Sequence, residues 1–315
     1  MNRPAYKFTG ERYVPSVQGE IRIEHLQRYV AAIALAKERT VLDVACGEGY
    51  GTCMLAGVAA AAVGVDISKE VIADASLRYR DILNLKFSAC SAVATGRTGA
   101  SFDLVVSFET IEHLVEQDEM LAEIGRVLKP TGVLLISSPN RPVYSGSRSE
   151  PNEFHVKELD FIEFDALLSR HFRHVEYYGQ RLSIGAVVQS LSRQEAFFQA
   201  FNDDGTDVTN STGTLIDPMY FLAVCGNSDE VLPNIQPMIF VPDSIDLLNH
   251  YVGFAKWAQN QDRAIERKNE QIHHLQNEIK QLQTASKRFN VEILRADAQL
   301  SLLKDLLAFG EADEF

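Results

Sequence analysis

Three glycines alternate at Gly47, Gly49 and Gly51, directly behind an apolar run, Val41–Ala45, that only Asp43 interrupts. A helix-capable stretch, Thr52 to Ala56, follows. Strand, glycine loop and helix in this order bring backbone close to a nucleotide-like ligand. A side chain at Gly47 or Gly49 would occupy the space that ligand needs. The dinucleotide pattern G-x-G-x-x-G requires glycine where Thr52 stands, and no G-K-[ST] phosphate loop is present. Asp66 closes the next apolar run, Ala59–Val65, 17 residues beyond Gly49. An acid there accepts hydrogen bonds from ribose hydroxyls; the alternative is a cap for a helix starting near Ser68. Ahead of the loop, Arg12, Tyr13, Glu24, His25, Arg28 and Tyr29 gather polar and aromatic groups. They are either the solvated face of an N-terminal helix or a flap and helix that cover the ligand, with Arg12 or Arg28 pairing with a carboxylate.

These residues need a scaffold, and the hydrophobic pattern supplies one. A helix is expected from Ile21, with Ile23, Leu26, Val30, Ile33 and Ala34 at helical spacing. Beyond the loop come a helix Lys69–Tyr79, strands Leu85–Ala89 and Phe102–Phe108, and a helix Gln117–Leu128. That helix stops at a Lys129-Pro130-Thr131-Gly132 turn before a fifth strand, Val133–Ser137. Strands alternating with helices make a doubly wound α/β sheet. Strands Phe172–Gly179 and Met219–Cys225 bring the expected count to seven. In such sheets ligands sit at the carboxyl ends of the strands. Gly47, Asp66, Ser91, Glu109 to His113 and Ser138 to Arg141 all fall there. Residues 140–156 read as a substrate lid, Lys157–His171 as a helix, and 181–213 as an insertion, helical around Gln194–Phe201.

Bulk properties exclude several classes. A net charge of -13 argues against general binding of nucleic-acid phosphates. No apolar run reaches about 18 residues, so no transmembrane segment is expected. Met1 to Glu20 lacks the apolar core of a signal peptide. The four cysteines, Cys46, Cys53, Cys90 and Cys225, have no metal-like spacing and suit a reduced, cytoplasmic protein. His171 and His174 are spaced like a ligand pair but have no further ligands near them, and they read as surface residues. No metal site is expected.

Taken together, the motifs resemble the class I S-adenosylmethionine-dependent methyltransferases. The matching stretches are Val41–Gly51, Gly64-Val65-Asp66, Phe102-Asp103-Leu104-Val105 with Glu112-His113, and Glu123 through Ile136. The opening Gly10–Pro15, with Glu24-His25 and Arg28-Tyr29, is similar to a bacterial subgroup that occurs with glycosyltransferases of surface-polysaccharide synthesis. The resemblance implies S-adenosylmethionine as cofactor. It places Asp43, Gly47 and Gly49 at the methionine part, Asp66 at the ribose, Ile67 against adenine, and Ser91 and Ala92 at the adenine edge. Arg28 and Tyr13 are expected over the cofactor, and Glu109 where the fourth strand opens towards cofactor and substrate. A sugar hydroxyl as acceptor must lose a proton, which a histidine takes near neutral pH; the candidates are His113 and His155, with His25 third. A phosphate or carboxylate acceptor needs no base and would be oriented by Arg12, Arg28 or Arg141. The expected acceptor is a glycan or nucleotide sugar, and the reaction a possible cap on a growing polysaccharide. The competing readings are a catalytically weak or inactive scaffold that recruits partners through its coiled coil, and a small-molecule O-methyltransferase.

The remainder changes character. Residues 1–226 form the expected catalytic domain, with 1–40 as flap and helix, and 227–242, with three prolines, form a linker. From 243 to 309 one heptad register runs without a stutter: Ile265, Ile272, Ile279 and Ile293 at a, Leu275, Leu282 and Leu303 at d. Such a register specifies a coiled coil, and Ile at a with Leu at d favours two parallel strands, a trimer being the alternative. Residues 310–315 are an acidic tail. The expected partners are a second copy of the chain and a glycosyltransferase, the latter bringing the protein to the inner membrane from its cytoplasmic side.

Overall fold

The computed structural model describes residues 19–146, 150, 152–183, 201–203, 208–210, 215, 217–240 and 246–310, with the side chains of 201–203, 208–210 and 306–310 excepted. The chain divides into two units, Met1–Asp246 and Leu247–Phe315.

The first unit is built on α1 (Glu20–Ala36), β1 (Thr40–Val44), α2 (Tyr50–Ala56), β2 (Ala61–Asp66), α3 (Lys69–Arg78), β3 (Leu85–Ala89), β4 (Phe102–Ser107), α4 (Gln117–Val127), β5 (Leu128–Pro139), α5 (Arg141–Tyr144), α6 (Phe161–His171), β6 (His174–Gln180), β7 (Phe201–Asp203), β8 (Val208–Asn210) and β9 (Tyr220–Gly226). Seven strands form one sheet in the order β3-β2-β1-β4-β5-β9-β6. The strands from β1 to β5 pair in parallel, and β9 runs antiparallel between β5 and β6. The chain direction across the sheet reverses between β1 and β4, which is where such folds open a crevice for a ligand. The expected seven-stranded sheet with helices on both faces is therefore what the chain forms.

Alternation along the strands explains the two faces. Leu42 and Val44 of β1 and Val105 of β4 pack with Met120, Leu121, Ile124 and Val127 of α4 and Phe164 of α6. Val41 of β1 and Leu104 and Val106 of β4 point the other way, onto Tyr29, Ala32 and Leu35 of α1 and Leu55 of α2. Each fully buried side chain of this size contributes about 1.5–3 kcal/mol. Asp43 shares the second face, so it is aimed at α1 and α2.

Several boundaries differ from the sequence reading. The helix expected from Lys157 starts at Phe161, because Asp160 and Glu163 form a reciprocal capping box. The Lys129–Gly132 turn is joined to β5 as an irregularity: Phe102 pairs with Leu128, and the next partner pair is Leu104 with Val133. Lys129 Nζ there bonds both Asp103 carboxylate oxygens at 2.8 and 2.9 Å. The segment expected as a plain lid contains the short helix α5. The helix expected around Gln194–Phe201 lies outside the described residues up to Phe201, which belongs to β7, a strand paired antiparallel with β8. Residues 227–240, expected as a linker, run along the first unit. Leu232 and Ile235 pack on the α1–α2 face, and Asn234 accepts the Tyr178 hydroxyl at 3.0 Å.

The second unit is one helix, α7 (Leu247–Gly310), of 64 residues. Ile265, Ile272, Leu275, Ile279, Leu282 and Ile293 are all exposed along it. Among the described residues no helix is long and apolar enough to cross a membrane.

Candidate active site

The glycine loop joins β1 to α2 through three left-handed residues, Ala45 (φ 62°), Gly47 (φ 53°) and Gly49 (φ 74°), and the two glycines adopt that conformation without a Cβ penalty. They serve different ends. A Cβ on Gly47 would point into open space, whereas one on Gly49 would meet the Phe87 ring at 2.5 Å. Gly49 is thus required by packing against β3, whereas the space beside Gly47 is open. Gly51 is likewise a packing residue, because a Cβ there would collide with the Tyr29 ring.

Asp66 ends β2 beneath this loop. Its carboxylate accepts the Gly47 N–H at 3.0 Å and the Ser68 N–H at 2.9 Å. The cap of α3 is Ser68, which accepts from Val71, so Asp66 is not the capping residue. Ile67, next in line, is 75% exposed. Ser91 and Ala92 lie beyond β3, with the Ser91 hydroxyl accepting the Val93 N–H at 3.3 Å.

Asp43 is buried and turned away from this space. Its Oδ2 accepts the Thr52 hydroxyl at 2.7 Å and the Tyr29 hydroxyl at 3.1 Å. Burial pushes its carboxyl up to about 7 from an ordinary 3.8, against the lowering pull of those two hydroxyls. Between these values the folded chain holds a proton that the unfolded chain has released, so stability falls as pH rises from about 4 to 7. Asp43→Asn is therefore expected to become more stable relative to wild type with rising pH, by up to about 1.4 kcal/mol per unit in that window. Urea melts at about pH 5 and pH 7.5 read this difference; an unchanged gap would mean that Asp43 is ionised in the fold throughout.

Arg28, on α1, is completely buried. Its Nε donates to Gln180 Oε1 at 2.7 Å, and its guanidinium lies 4.2 Å from the Tyr220 ring centre. Nη1 is 3.4 Å from Glu109 Oε1. That is an ion pair without hydrogen-bond geometry, and neither Nη1 nor Nη2 has a hydrogen-bond partner among the described residues. Burial opposes its charge, but Glu109, Tyr220, Glu24 and Glu112 outweigh burial and raise its pKa. Glu24, one turn earlier, accepts the Tyr220 hydroxyl at 3.2 Å, and burial lifts its carboxyl to about 7. Glu109 follows β4 with φ 50°, a conformation that costs a non-glycine residue of order 1 kcal/mol. Ser137 holds it there, accepting its N–H and donating to its Oε1, both at 2.9 Å.

Beyond Glu109 a single 3-10 turn, Ile111–His113, carries Glu112 and His113. Residues 154–157 are tied to it. Val156 and Lys157 donate to the Glu112 carbonyl at 2.8 and 3.0 Å, and Gln117 bridges the Ile111 and Lys157 carbonyls. This brings His155 against His113 edge to face, ring centres 4.9 Å apart, while Tyr144 stacks on His155 at 5.2 Å. Nδ1 of His113 bonds the Phe154 carbonyl at 2.7 Å, and Nδ1 of His155 bonds Glu158 Oε1 at 2.6 Å. Glu112 is fully buried, and neither of its carboxylate oxygens has a hydrogen-bond partner among the described residues.

The structure thus gathers Gly47, Asp66, Arg28, Glu109, His113 and His155 at the carboxyl ends of the strands. Asp43 is engaged by Thr52 and Tyr29, Gly49 leaves room for the Phe87 ring, and Tyr13 and Arg12 lie outside the described residues. His25 bonds Tyr50 at 3.1 Å. Arg141 is taken up by Asp160 and Glu163, each at 2.8 Å. The sequence reading overlooked Gln180 and Tyr220, which close around Arg28, and the closeness of Glu112 to the two histidines, one ligand atom of each lying within 4.8 Å of the others. Applying the strand-end rule to β6 would have found Gln180.

Residues 35–180 match the family model of a methyltransferase domain. A protein of Mycolicibacterium smegmatis named a probable S-adenosylmethionine-dependent methyltransferase is 36% identical over 168 residues, which are 52% of this chain and 64% of that protein. A ubiquinone biosynthesis O-methyltransferase of Parvibaculum lavamentivorans is 29% identical over 140 residues, 44% of this chain and 54% of its own. The chain spans less than two thirds of the length of either relative. The fold is shared with a chain in the solved complex of the Haloferax volcanii Trm112 methyltransferase activator and a methyltransferase candidate. That likeness has a TM-score of 0.50 at 19% identity and covers 67% of this chain and 93% of that one.

Proposed function

We propose that the chain is an S-adenosylmethionine-dependent methyltransferase that acts on a hydroxyl oxygen. The observation that carries this reading is the buried guanidinium of Arg28, with two nitrogens lacking hydrogen-bond partners among the described residues, at the same sheet edge as the Gly47 loop and Asp66. The pattern fits an amino-acid nucleoside. Arg28 takes the carboxylate, Gly47 leaves room for the ligand against the backbone, Asp66 takes the ribose hydroxyls, and the exposed Ile67 offers an apolar face to adenine. Ser91 and Ala92 lie at the adenine edge. When bound, S-adenosylmethionine supplies a methyl group on a sulfonium sulfur.

The chain's own residues hold the two partners in line, where most of the rate gain of such a displacement arises. Glu109 neutralises Arg28 and is fixed by Ser137, so the guanidinium fork stays aimed. His113 and His155 each have Nδ1 engaged, which leaves Nε2 as the nitrogen available for chemistry. Calorimetry with S-adenosylhomocysteine tests the cofactor half. Absence of binding would favour a scaffold instead.

The acceptor is proposed to be a sugar hydroxyl of a polysaccharide or nucleotide sugar, on the resemblance of residues 10–29. The relatives named ubiquinone biosynthesis O-methyltransferases support oxygen as the accepting atom and raise a phenolic hydroxyl as the second reading. Methyl-labelled cofactor offered to lipid-linked sugars, nucleotide sugars and catechols separates them; transfer to catechols alone would sink the sugar reading. Self-association is proposed through α7, whose exposed Ile and Leu positions repeat every seven residues and would be covered by a second copy. Deleting residues 243–315 is expected to leave a folded monomer by light scattering. An oligomer of unchanged order would show that the tail is not the assembly element.

A further inference from the structure

We infer that Glu112, His113 and His155 bind one divalent transition-metal cation, with a coordination position left open. One ligand atom from each residue lies within 4.8 Å of the other two. Ligand atoms around a single ion at about 2.0–2.2 Å stand roughly 3–4 Å apart, so closing on the ion takes a shift under about 1 Å per ligand. Three further observations point to an ion.

The first is Glu112. A fully buried carboxylate whose two oxygens have no hydrogen-bond partner among the described residues is costly to fold around, and it demands an explanation. A cation between it and the imidazoles provides one. The second is the support behind each imidazole. The His113 Nδ1 is held by a carbonyl and the His155 Nδ1 by the Glu158 carboxylate. This is the outer-shell arrangement that fixes the tautomer and leaves Nε2 as the ligand atom in metal-bound histidines. The third is preorganisation. The two backbone bonds to the Glu112 carbonyl tie the segment carrying His155 to the turn carrying the other two ligands. The site therefore does not depend on the ion to bring distant segments together.

Two nitrogens and one oxygen suit zinc, manganese, iron or cobalt better than magnesium or calcium, which prefer all-oxygen shells. Three protein ligands are the number found in catalytic zinc sites, which keep a position for water or substrate. What the ion does rests on the methyltransferase reading above; that it binds does not. An acceptor hydroxyl taking the open position would lose its proton to water more readily, because the cation stabilises the alkoxide. A ligated imidazole cannot also take that proton, so His113 and His155 hold the ion rather than act as bases.

The test uses the full chain, stripped with a chelator, desalted, and titrated with zinc by calorimetry and with cobalt by visible absorption. One equivalent is expected, with cobalt bands of nitrogen and oxygen ligation. His155→Ala and Glu112→Gln should each weaken zinc binding about 100-fold or more, while a His171→Ala, His174→Ala double variant leaves it unchanged. Metal-free melting curves identify any variant that fails to fold; His155→Ala, altered in a loop, is the one expected to survive. No bound equivalent, or binding unmoved by folded His155→Ala, overturns the proposal. S-adenosylhomocysteine titrated into the same sample keeps the two readings apart. Zinc binding without nucleoside binding leaves the metal site and sinks the methyltransferase reading. Nucleoside binding without zinc binding does the reverse.

Discussion

Arg28→Met lowers the affinity for S-adenosylhomocysteine by about 100-fold or more, and it costs the fold several kcal/mol as well. The first effect follows from the two guanidinium nitrogens that have no hydrogen-bond partner among the described residues. Each charged hydrogen bond that they make to a ligand carboxylate contributes roughly 1.5–3 kcal/mol, and 100-fold corresponds to about 2.7 kcal/mol. The second follows from Glu109 and Glu24, which lose the cation between them. Breaking a buried pair from one side typically costs about 3–5 kcal/mol. Arg28→Lys separates the effects. It keeps the charge, and hence much of the stability, but loses the planar fork, and so recovers only part of the affinity. Melting curves and calorimetry on both variants read the two quantities. A folded Arg28→Met chain with unchanged affinity would refute the carboxylate assignment.

Asp66→Ala is expected to lose on the order of 1.5–3 kcal/mol of cofactor affinity, tenfold or more. Here one side chain does two jobs. It is proposed to bind the ribose, and it already holds the Gly47 and Ser68 N–H groups. Adenosine as a separate ligand tells the ends of the site apart: Asp66→Ala should weaken its binding, whereas Arg28→Met should not. If adenosine binding survives Asp66→Ala, the ribose is held elsewhere.

Much of this architecture was legible in the sequence for a simple reason. Strands such as Phe102–Ser107 and helices such as Gln117–Val127 declare themselves by period, and the glycine loop and Asp66 by local spacing. What was hidden depends on direction and on distance along the chain. Asp43 stands in the motif that suggests ligand contact, yet strand alternation turns it onto Tyr29 and Thr52. Gly49 stands in a ligand-type glycine motif and also answers a packing demand that spacing does not show, because the Phe87 ring that requires it lies on another strand. The Arg28 pocket needs Gln180 and Tyr220, which the insertion separates in sequence and the antiparallel pairing of β6 with β9 restores. Glu112 and His155 meet only because residues 154–157 hydrogen-bond back onto the turn after β4. No local pattern encodes such returns. The start of α6 was legible and was missed: Asp160 and Glu163 spell a capping box, which apolar spacing alone had overrun.

The place of β9 has a consequence for how the protein is made. Among the described residues β6 is hydrogen-bonded in the sheet only to β9, and β9 is the last strand. On the ribosome, β1 to β5 can pair as they emerge, but the edge of β5 waits for residues 220–226. Until then β6 and that edge are exposed strands of the kind that aggregate or pair wrongly. Completion of the sheet is therefore late and depends on bringing β9 back to β6 across residues 181–219. Loop-closure entropy grows only slowly, about 0.6 kcal/mol for each doubling of length. The intervening segment is thus free to lengthen or shorten between related chains at little cost to folding. Residue changes at Val224 or Cys225 of β9, by contrast, would strike the step on which completion of the sheet depends.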